Sequence, residues 1–336
     1  MIPGLAAAIA VGLVARFATG FLPSIVAEVT VAILLGVVIA AIAGQRLGPL
    51  EPGLRFAAQR VLRVGIVLLG ARLSLAEIAG IGLPATGLIV VTMAISFAVV
   101  LAVARAVRVE SRLALLIAVG SAVCGNTAIV ATAPVIGARG REVAYAIATI
   151  TLFGTVAVFL YPAIGRIAGV EEPAFGLWAG VAVHDTSQVV ATSAAYGSEA
   201  LDVATVVKLI RNALMAPLLL VIAAVWAARA DRPDGSVGSV GGGVRRAVPL
   251  FVFGFLALAA LRSVGVIDGG QATALDTVAR LFVVVALAGV GMSIRFGELR
   301  EMSWRPIAVG FCVAFGVAAA SLLAITALGL GAALAP

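Results

Sequence analysis

The residues best suited to chemistry lie in polar runs inside long apolar segments. The first run is CGNT, which comprises Cys124, Gly125, Asn126 and Thr127 and follows Ser121. Glycine weakens a helix, and serine or asparagine side chains can satisfy the backbone groups that an interrupted helix leaves free. The half-helix after such a break directs its partially positive N-terminus at a ligand. The run therefore predicts a broken helix that binds a small anion. The alternative is a small-residue face that packs against another helix.

The second run follows sixty residues later and contains the only histidine of the chain. It reads HDTSQ, which is His184, Asp185, Thr186, Ser187 and Gln188. Five consecutive polar residues are costly in lipid, and ionisable groups there indicate function. An imidazole changes charge near neutral pH, and a desolvated carboxyl group can take up a proton. We expect substrate binding and proton coupling here. The alternative is a polar loop outside the membrane.

A third group lies in the run ATVVKLIRN, which contains Lys208, Arg211 and Asn212. Lys208 is the only lysine of the chain. Residues three apart share a helix face, so the two cations lie side by side. A guanidinium binds an oxyanion through two parallel hydrogen bonds, which predicts a cationic clamp. The alternative is a pair of anchors that extend toward the membrane surface near a helix end.

The first two runs occupy equivalent positions in a sequence repeat. Residues 118–132 (AVGSAVCGNTAIVAT) and 178–192 (WAGVAVHDTSQVVAT) are identical at six of fifteen positions. Transporters are commonly built from such repeats. Chance similarity between two helices rich in alanine and valine is the alternative.

The amino-acid composition indicates which kind of secondary structure contains these polar runs. The chain has 336 residues, of which 62% are hydrophobic and 12% charged, and its mean hydropathy is +1.19. A soluble domain has about 25% charged residues, so most of this surface must face lipid. A membrane β-barrel would show alternating polar and apolar residues, which the long apolar runs lack. We therefore predict an all-α integral membrane protein, and residues 1–336 form a single membrane transport domain.

Apolar windows predict about eleven transmembrane helices. They are residues 4–20, 24–44, 60–73, 82–104, 113–137, 143–167, 174–196, 203–228, 247–265, 272–293 and 306–333, and the third, seventh and tenth are alternatively re-entrant. Arginines concentrate in the even-numbered loops, so the positive-inside rule predicts a cytoplasmic N-terminus. The Gly/Ser-rich residues 231–243 predict a flexible cytoplasmic linker between about eight and about three spans.

Several features complete the expectations. Residues 51–63 predict an amphipathic helix on the inner membrane surface. Arg16, Glu28 and Arg280 are isolated intramembrane charges without an assigned role. Cys124 and Cys312 show no metal-ligand spacing, and we expect neither a metal nor a cofactor. The net charge of +7 reflects topology, so we expect lipid and a small anion as partners and no nucleic acid. A homo-oligomer is compatible with the sequence.

Four segments resemble the bacterial sulfate exporter family, a family of multi-pass membrane transporters. They are GIVLLGARLSL (65–75), VGSAVCGNTAIVATAPVI (119–136), HDTSQVVATSAAYG (184–197) and ATVVKLIRN (204–212), within a resemblance that covers residues 5–330. The resemblance implies a secondary transporter with an antiporter-like fold, inverted repeats and discontinuous helices. It also implies sulfate as the substrate class and the bacterial inner membrane as the location.

These observations predict a secondary transporter that exports a small oxyanion and is coupled to a proton or another cation. We expect no enzymatic activity, and no phosphate-binding loop of a primary pump is present in the sequence. One alternative is a membrane-embedded enzyme with Cys124 or Ser187 as nucleophile and His184 as base. The other alternative is an ion channel.

Overall fold

The computed structural model describes residues 1–21, 28–229, 250–294 and 303–330. Over these ranges the chain is helical and contains no strand. The predicted linker, residues 231–243, lies outside the described residues. The α-helices are α1 (Ile2–Thr19), α2 (Glu28–Ala43), α3 (Glu51–Phe56), α4 (Leu62–Leu69), α5 (Leu75–Ala106), α6 (Ser111–Ala122), α7 (Asn126–Ile136), α8 (Gly140–Ile167), α9 (Glu172–Ala182), α10 (Thr186–Ala194), α11 (Ser198–Ala213), α12 (Met215–Arg229), α13 (Leu250–Ser263), α14 (Gly269–Met292) and α15 (Trp304–Ala327).

Six stretches in the described residues are long and apolar enough to cross a membrane. They are Ile2–Thr19, Ala85–Ala106, Arg141–Ile167, Ser198–Trp226, Gly269–Met292 and Trp304–Ala327. A seventh is the pair Arg46–Arg72 and Leu75–Leu83, whose helices bend by 104° at the break between them. The helical membrane architecture predicted from composition is therefore present. The described residues thus support six spans, or seven with the bent pair, and not the predicted count of eleven.

The stretch predicted as an amphipathic surface helix, residues 51–63, is helical, and its placement on the inner membrane surface stays a prediction. Helix α3 continues through a π-helical stretch, Ala57–Val61, directly into α4. Its residues Gly53, Leu54 and Ala57 are buried, and Gly53 lies against the backbone of Gly4 in α1. Arg55 and Arg60 are exposed, so the stretch is amphipathic, and close packing of two glycine-containing helices holds its apolar face against α1.

Helices α6 and α7 form a hairpin, which we call the first hairpin. Arg139, next to the start of α8, pairs with Glu110, next to the start of α6, at 3.0 Å between Nη2 and Oε1. Within the hairpin, a Cβ at Gly120 of α6 would come within 2.9 Å of Ile129 in α7. The predicted single crossing over residues 113–137 is thus wrong, because the chain turns back at residues 123–125.

Helices α9 and α10 form the second hairpin. At its base, the Glu172 carboxylate accepts a hydrogen bond from the backbone N–H of Glu199 at 2.9 Å. The rings of Phe175 and Tyr196 stack there, with centroids 3.7 Å apart. Both ends of this hairpin therefore lie at one end of the bundle. Of the two readings of residues 174–196, a re-entrant segment or a full crossing, the structure has the re-entrant form.

The two hairpins enter from opposite ends of the bundle. Helix α8 connects their bases and has 28 residues, which corresponds to a length of about 42 Å. We call the two ends the Arg139 end and the Glu172 end. A separation of this size exceeds a hydrocarbon core of about 30 Å, so the hairpin tips approach each other inside the bundle.

Aromatic contacts hold the second hairpin against α15. Trp178 of α9 donates a hydrogen bond from Nε1 to the carbonyl oxygen of Ala318 at 2.9 Å. The Tyr161 ring stacks on Trp178 at 4.8 Å, and its hydroxyl donates to the carbonyl oxygen of Ala314 at 3.0 Å. These buried side chains satisfy their polar atoms while they fill the space between helices.

Candidate functional site

The tip of the first hairpin depends on Gly125. Helix α6 ends at Ala122, and α7 begins at Asn126 with Gly125 as its N-cap at φ +64° and ψ −125°. Only glycine adopts this conformation without strain. A Cβ at Gly125 would also lie 2.9 Å from Asp185 Oδ2 and 3.0 Å from Asp185 Cα. The tips of the two hairpins therefore meet in direct contact.

The tip of the second hairpin is held by Asp185, the N-cap of α10. Its Oδ1 accepts hydrogen bonds from the Ser187 backbone N–H at 2.9 Å and from Ser187 Oγ at 2.6 Å. A carboxylate at this position satisfies the first free N–H groups of the helix and interacts favourably with its dipole. The C-caps, Val123 and Val183, and the N-caps, Gly125 and Asp185, are the positions that the sequence repeat pairs.

Arg211 of α11 joins the C-terminal ends of α6 and α9. Its side chain is 1% exposed. All three guanidinium nitrogens donate to backbone carbonyl oxygens: Nε to Ala122 (3.1 Å), Nη1 to Gly180 (2.6 Å), Val181 (2.9 Å) and Val183 (3.1 Å), and Nη2 to Ser121 (2.9 Å) and Ala122 (2.7 Å). The last carbonyls of a helix lack partners within that helix, and Arg211 supplies them for both hairpins.

Lys208 lies one helical turn away and joins the same two tips. Its Nζ donates to the carbonyl oxygens of Val123 at 2.8 Å, Val183 at 3.1 Å and His184. In the described part of the chain neither Lys208 nor Arg211 forms an ion pair with a carboxylate. Their charges instead face the negative ends of two helix dipoles.

This geometry differs from a pair of cations held free to grip an oxyanion, and it also differs from anchors at the membrane surface. The N–H groups of Lys208 and Arg211 already donate to carbonyl oxygens of the hairpin tips. The cause is the position of α11, which passes directly beside both breaks. The two residues therefore hold the tips together and supply positive charge there.

Several polar side-chain atoms around the tips are buried without a hydrogen-bond partner in the described residues. They are Ser121 Oγ, Asn126 Oδ1, His184 Nδ1, Gln188 Oε1 and Asn212 Oδ1. Unpartnered buried polar atoms are rare and costly, and they mark places where water or a ligand completes the hydrogen bonding. Their concentration at the meeting point of two hairpins makes this the candidate site.

The N-terminus of α7 offers a further set of hydrogen-bond donors. No side chain caps it, although the first N–H groups of any helix lack partners within the helix. Asn126 is half-buried there, and Thr127 is exposed. An uncapped helix N-terminus beside unpartnered side chains favours an anion.

The other predicted site residues lie at the same place. Cys124 Sγ contacts Met215 Sδ at 3.4 Å. Asn212 Nδ2 donates to Thr186 Oγ1 at 3.4 Å, and Gln188 Nε2 donates to the carbonyl oxygen of Thr151 at 3.1 Å. The structure thus brings the three sequence runs together at the two tips and the middle of α11.

The nucleophile arrangement of the enzyme alternative is not formed. Ser187 Oγ donates to Asp185, Cys124 contacts Met215, and His184 Nδ1 has no partner in the described residues. An activated nucleophile needs a base within hydrogen-bonding reach. No observation at the tips therefore favours nucleophilic catalysis.

Sequence reasoning missed the contributions of Met215, Thr151 and Gly154. Gly154 of α8 lies against the Gln188 carboxamide, where a Cβ would overlap it. The backbone carbonyl oxygens that accept hydrogen bonds from Lys208 and Arg211 could not be predicted either, because every residue has a carbonyl group. A glycine in the middle of the apolar segment 143–167 was the one available signal.

The charges described as isolated in sequence have partners. Arg16 Nη1 lies 4.0 Å from Glu28 Oε1, and Arg280 Nε lies 2.9 Å from Asp276 Oδ2. Arg72 joins this group, since it pairs with Asp202 at 3.0 Å and Asp276 at 3.2 Å. These charges lie at the Glu172 end, away from the hairpin tips.

Comparison with known proteins places the chain in a family. A family model described as Conserved hypothetical protein 698 matches residues 3–310. The chain belongs to this family. It is 31% identical over 308 residues to a UPF0324 membrane protein of Bacillus cereus, a match that covers 91% of this chain and 88% of the relative. It is 32% identical over 336 residues to a UPF0324 membrane protein of Streptococcus pyogenes, a match that covers 98% of each chain. No solved structure matches.

The family members named in this way are membrane proteins, which agrees with the apolar helices of this chain. Their names specify neither a substrate nor a direction of transport. The membrane location is therefore established, whereas the sulfate exporter resemblance stays a prediction about activity.

Proposed function

We propose that this protein is a secondary transporter of a small oxyanion, with sulfate as the representative substrate, that binds its substrate where the two hairpin tips meet. The observation that carries the proposal is the tip-to-tip contact of two oppositely entering hairpins. Irregular backbone inside a membrane is tolerated where it lines a binding site or a water-filled cavity. The unpartnered side chains at the tips are consistent with such a site.

The depth of the tips supports this assignment. Lys208 lies ten residues after Ser198, where α11 begins, which is about 15 Å along the helix. This is half of a hydrocarbon core of about 30 Å. Transporter sites typically lie at the membrane midplane between repeats, so the paired caps of the two hairpins fit an inverted repeat around a central site.

The hairpins also give a consistent topology. Of eleven predicted segments two turn back, which leaves nine that cross, and the N- and C-termini remain on opposite sides. Because the first hairpin returns to its own side, Arg139 and Arg141 join Arg105 and Arg108 at one end. The positive-inside rule then assigns the Arg139 end and the N-terminus to the cytoplasm more uniformly than a model with eleven crossings does.

The electrostatics favour an anion. Helices α7 and α10 direct their N-termini toward the tips, and each carries a partial charge of about +0.5. Lys208 and Arg211 add two positive charges. Asp185, the one carboxylate at the tips in the described residues, and the C-terminal ends of α6 and α9, about −0.5 each, offset part of this and leave an excess of about one positive charge. A buried site with excess positive potential binds a negative ligand and disfavours a cation.

Asp185 and His184 are the groups that we assign to proton coupling. Asp185 contacts the backbone of Gly125 across the two tips, so its protonation changes the charge at the meeting point. His184 presents an unpartnered ring nitrogen beside the same break. Proton uptake at either group changes the affinity for an anion, which is the requirement for coupled transport.

Flux measurements in proteoliposomes test the proposal. Radiolabelled sulfate movement is measured with and without a pH gradient for the native chain, for Ser121→Ala and for Thr205→Val. Ser121 Oγ is unpartnered, whereas the Thr205 hydroxyl donates to Leu201 in its own helix at 2.6 Å. We expect Ser121→Ala to lower affinity by about tenfold, as for a lost hydrogen bond to a charged ligand, and Thr205→Val to keep it.

The absence of sulfate flux in the native chain, under either gradient, would refute sulfate as the substrate class. Equal flux in the native chain and in His184→Ala and Asp185→Asn, at every pH gradient, would refute the coupling assignment. Unitary currents in a planar bilayer would favour the channel alternative over a carrier.

A further inference from the structure

A cavity of about 530 Å³ lies at the Glu172 end, separate from the hairpin tips. One wall comes from α2, α4 and α14, and the other from the end of α8 and the turn between α10 and α11. Residues on its wall include Glu28, Leu69, Arg166, Tyr196, Ser198 and Arg280. Its volume falls in the range of about 300–1,000 Å³ that is typical of small-ligand sites.

Two arginines give this cavity its character. Arg166 donates from Nη2 to the carbonyl oxygen of Ala195 at 2.6 Å, and its guanidinium lies 5.4 Å from the centre of the Tyr196 ring. These contacts orient the side chain and engage one nitrogen. The hydrogen-bond donors of a guanidinium number five, so donors of Arg166 remain for a ligand.

Arg280 is held in a similar way on the opposite wall. Its Nε donates to Asp276 at 2.9 Å, and its side chain is 52% exposed. Asp276 also pairs with Arg72, and Arg72 pairs in turn with Asp202, so two arginines and two aspartates balance one another. Only Nε of Arg280 is engaged by Asp276, so donors of its guanidinium group remain for a ligand.

The one carboxylate on the cavity wall is balanced from outside it. Glu28 lies 4.0 Å from Arg16, which is not a wall residue, and Glu28 Oε1 accepts no hydrogen bond from the described residues. With Glu28 offset by Arg16 and Arg280 by Asp276, Arg166 leaves an excess of positive charge on the wall. Apolar residues such as Leu69 complete the wall.

We propose that this cavity is a second anion-binding site, which takes a small oxyanion between the guanidinium groups of Arg166 and Arg280. Helix α10 ends at this cavity and begins at the tip, a distance of about 13 Å for nine residues. The role of the cavity as a station on the route of the transported anion rests on the proposed function. The binding of an anion there does not.

Site-directed labelling tests the proposal without measuring transport. Ser198 is exposed and lines the cavity, so Ser198→Cys places a thiol there. Cys312→Ala removes the partly exposed native thiol, and Cys124 is buried. The control is Val264→Cys at the same end, because Val264 is 72% exposed and does not line the cavity.

The protein is purified in lipid nanodiscs, in which both faces reach solvent, and is modified with two methanethiosulfonate reagents. One reagent carries a sulfonate and the other a trimethylammonium group. We expect the ratio of anionic to cationic modification rates to be at least about fivefold higher at position 198 than at position 264. Arg166→Gln with Arg280→Gln should lower the ratio at 198 to that at 264.

Sulfate provides the second measurement. At constant ionic strength, sulfate should slow modification at position 198 more than chloride does, and the double arginine variant should abolish this protection. Equal rate ratios at the two positions, or equal protection by sulfate and chloride, would overturn the site. Normal protection in a chain that moves no sulfate would refute the proposed function and leave this site standing.

Discussion

The close contact at Gly125 allows a sharp comparison within one hairpin. Gly125 and Gly137 flank α7, and both have positive φ, +64° and +62° respectively. Gly125 has ψ −125° and lies against Asp185, whereas no described atom lies within 4 Å of a Cβ built at Gly137. Alanine at the two positions therefore separates the effect of tip contact from that of glycine in general.

We expect Gly125→Ala to be several times more destabilising than Gly137→Ala. At Gly137 the left-handed conformation costs alanine about 1 kcal/mol. At Gly125 the backbone conformation costs about 1–3 kcal/mol. The approach of 2.9–3.0 Å to Asp185 forces the two tips apart, which adds about 1–3 kcal/mol as overpacking. The sum is about 2–6 kcal/mol.

Thermal and denaturant unfolding of both variants in detergent measure the stability difference. Sulfate flux in proteoliposomes measures the functional consequence. A shift of the tips should lower flux by at least about tenfold, because a loss of 1.4 kcal/mol in binding already gives that factor. Gly137→Ala should keep flux near the native level. Equal stability losses in the two variants would refute the argument that the tips touch at Gly125.

Three further predictions concern the charged residues. Arg211→Met should destabilise the protein by about 4 kcal/mol or more, since several buried carbonyls lose their donors at about 1–3 kcal/mol each. Arg211→Lys should lose less stability because it keeps the charge, and unfolding midpoints that rank the two variants the other way would contradict this. Arg72→Gln should lower the free energy of unfolding by about 2 kcal/mol or more, because it leaves Asp202 without its partner at 3.0 Å. A double-mutant cycle with Asp202→Asn measures the coupling energy of the two residues, and a coupling energy of zero would contradict the prediction. Glu110→Gln should change stability by less than about 1 kcal/mol, because Glu110 and Arg139 are 51% and 69% exposed. A larger loss of unfolding free energy would show that this pair holds the hairpin closed.

The sequence predicted the positions of the two breaks well and their consequence poorly. CGNT and HDTSQ are where the helices end and begin again, because glycine and the polar side chains that cap helices mark such positions in any context. Whether the chain then continues or turns back is invisible in these residues. The composition of an apolar segment is the same in both cases.

The roles of Lys208 and Arg211 show a second limit. Their position on one face of a helix could be expected from their spacing in an apolar segment. Their acceptors are backbone carbonyls from two distant hairpins, and a carbonyl has no sequence signature. A cationic clamp for a ligand and a brace for two helix ends therefore look identical in sequence.

By itself the sequence determined that lipid surrounds most of this protein, that the protein is helical and where its helices are interrupted. These properties follow from hydropathy and local backbone preferences. Tertiary structure alone decided that both interrupted segments return to their own end and that α11 passes beside both tips. The physical reason is that each fact depends on contacts between residues far apart in the chain. The pair of Arg139 with Glu110 and the contact of Gly125 with Asp185 exist only after the helices have packed.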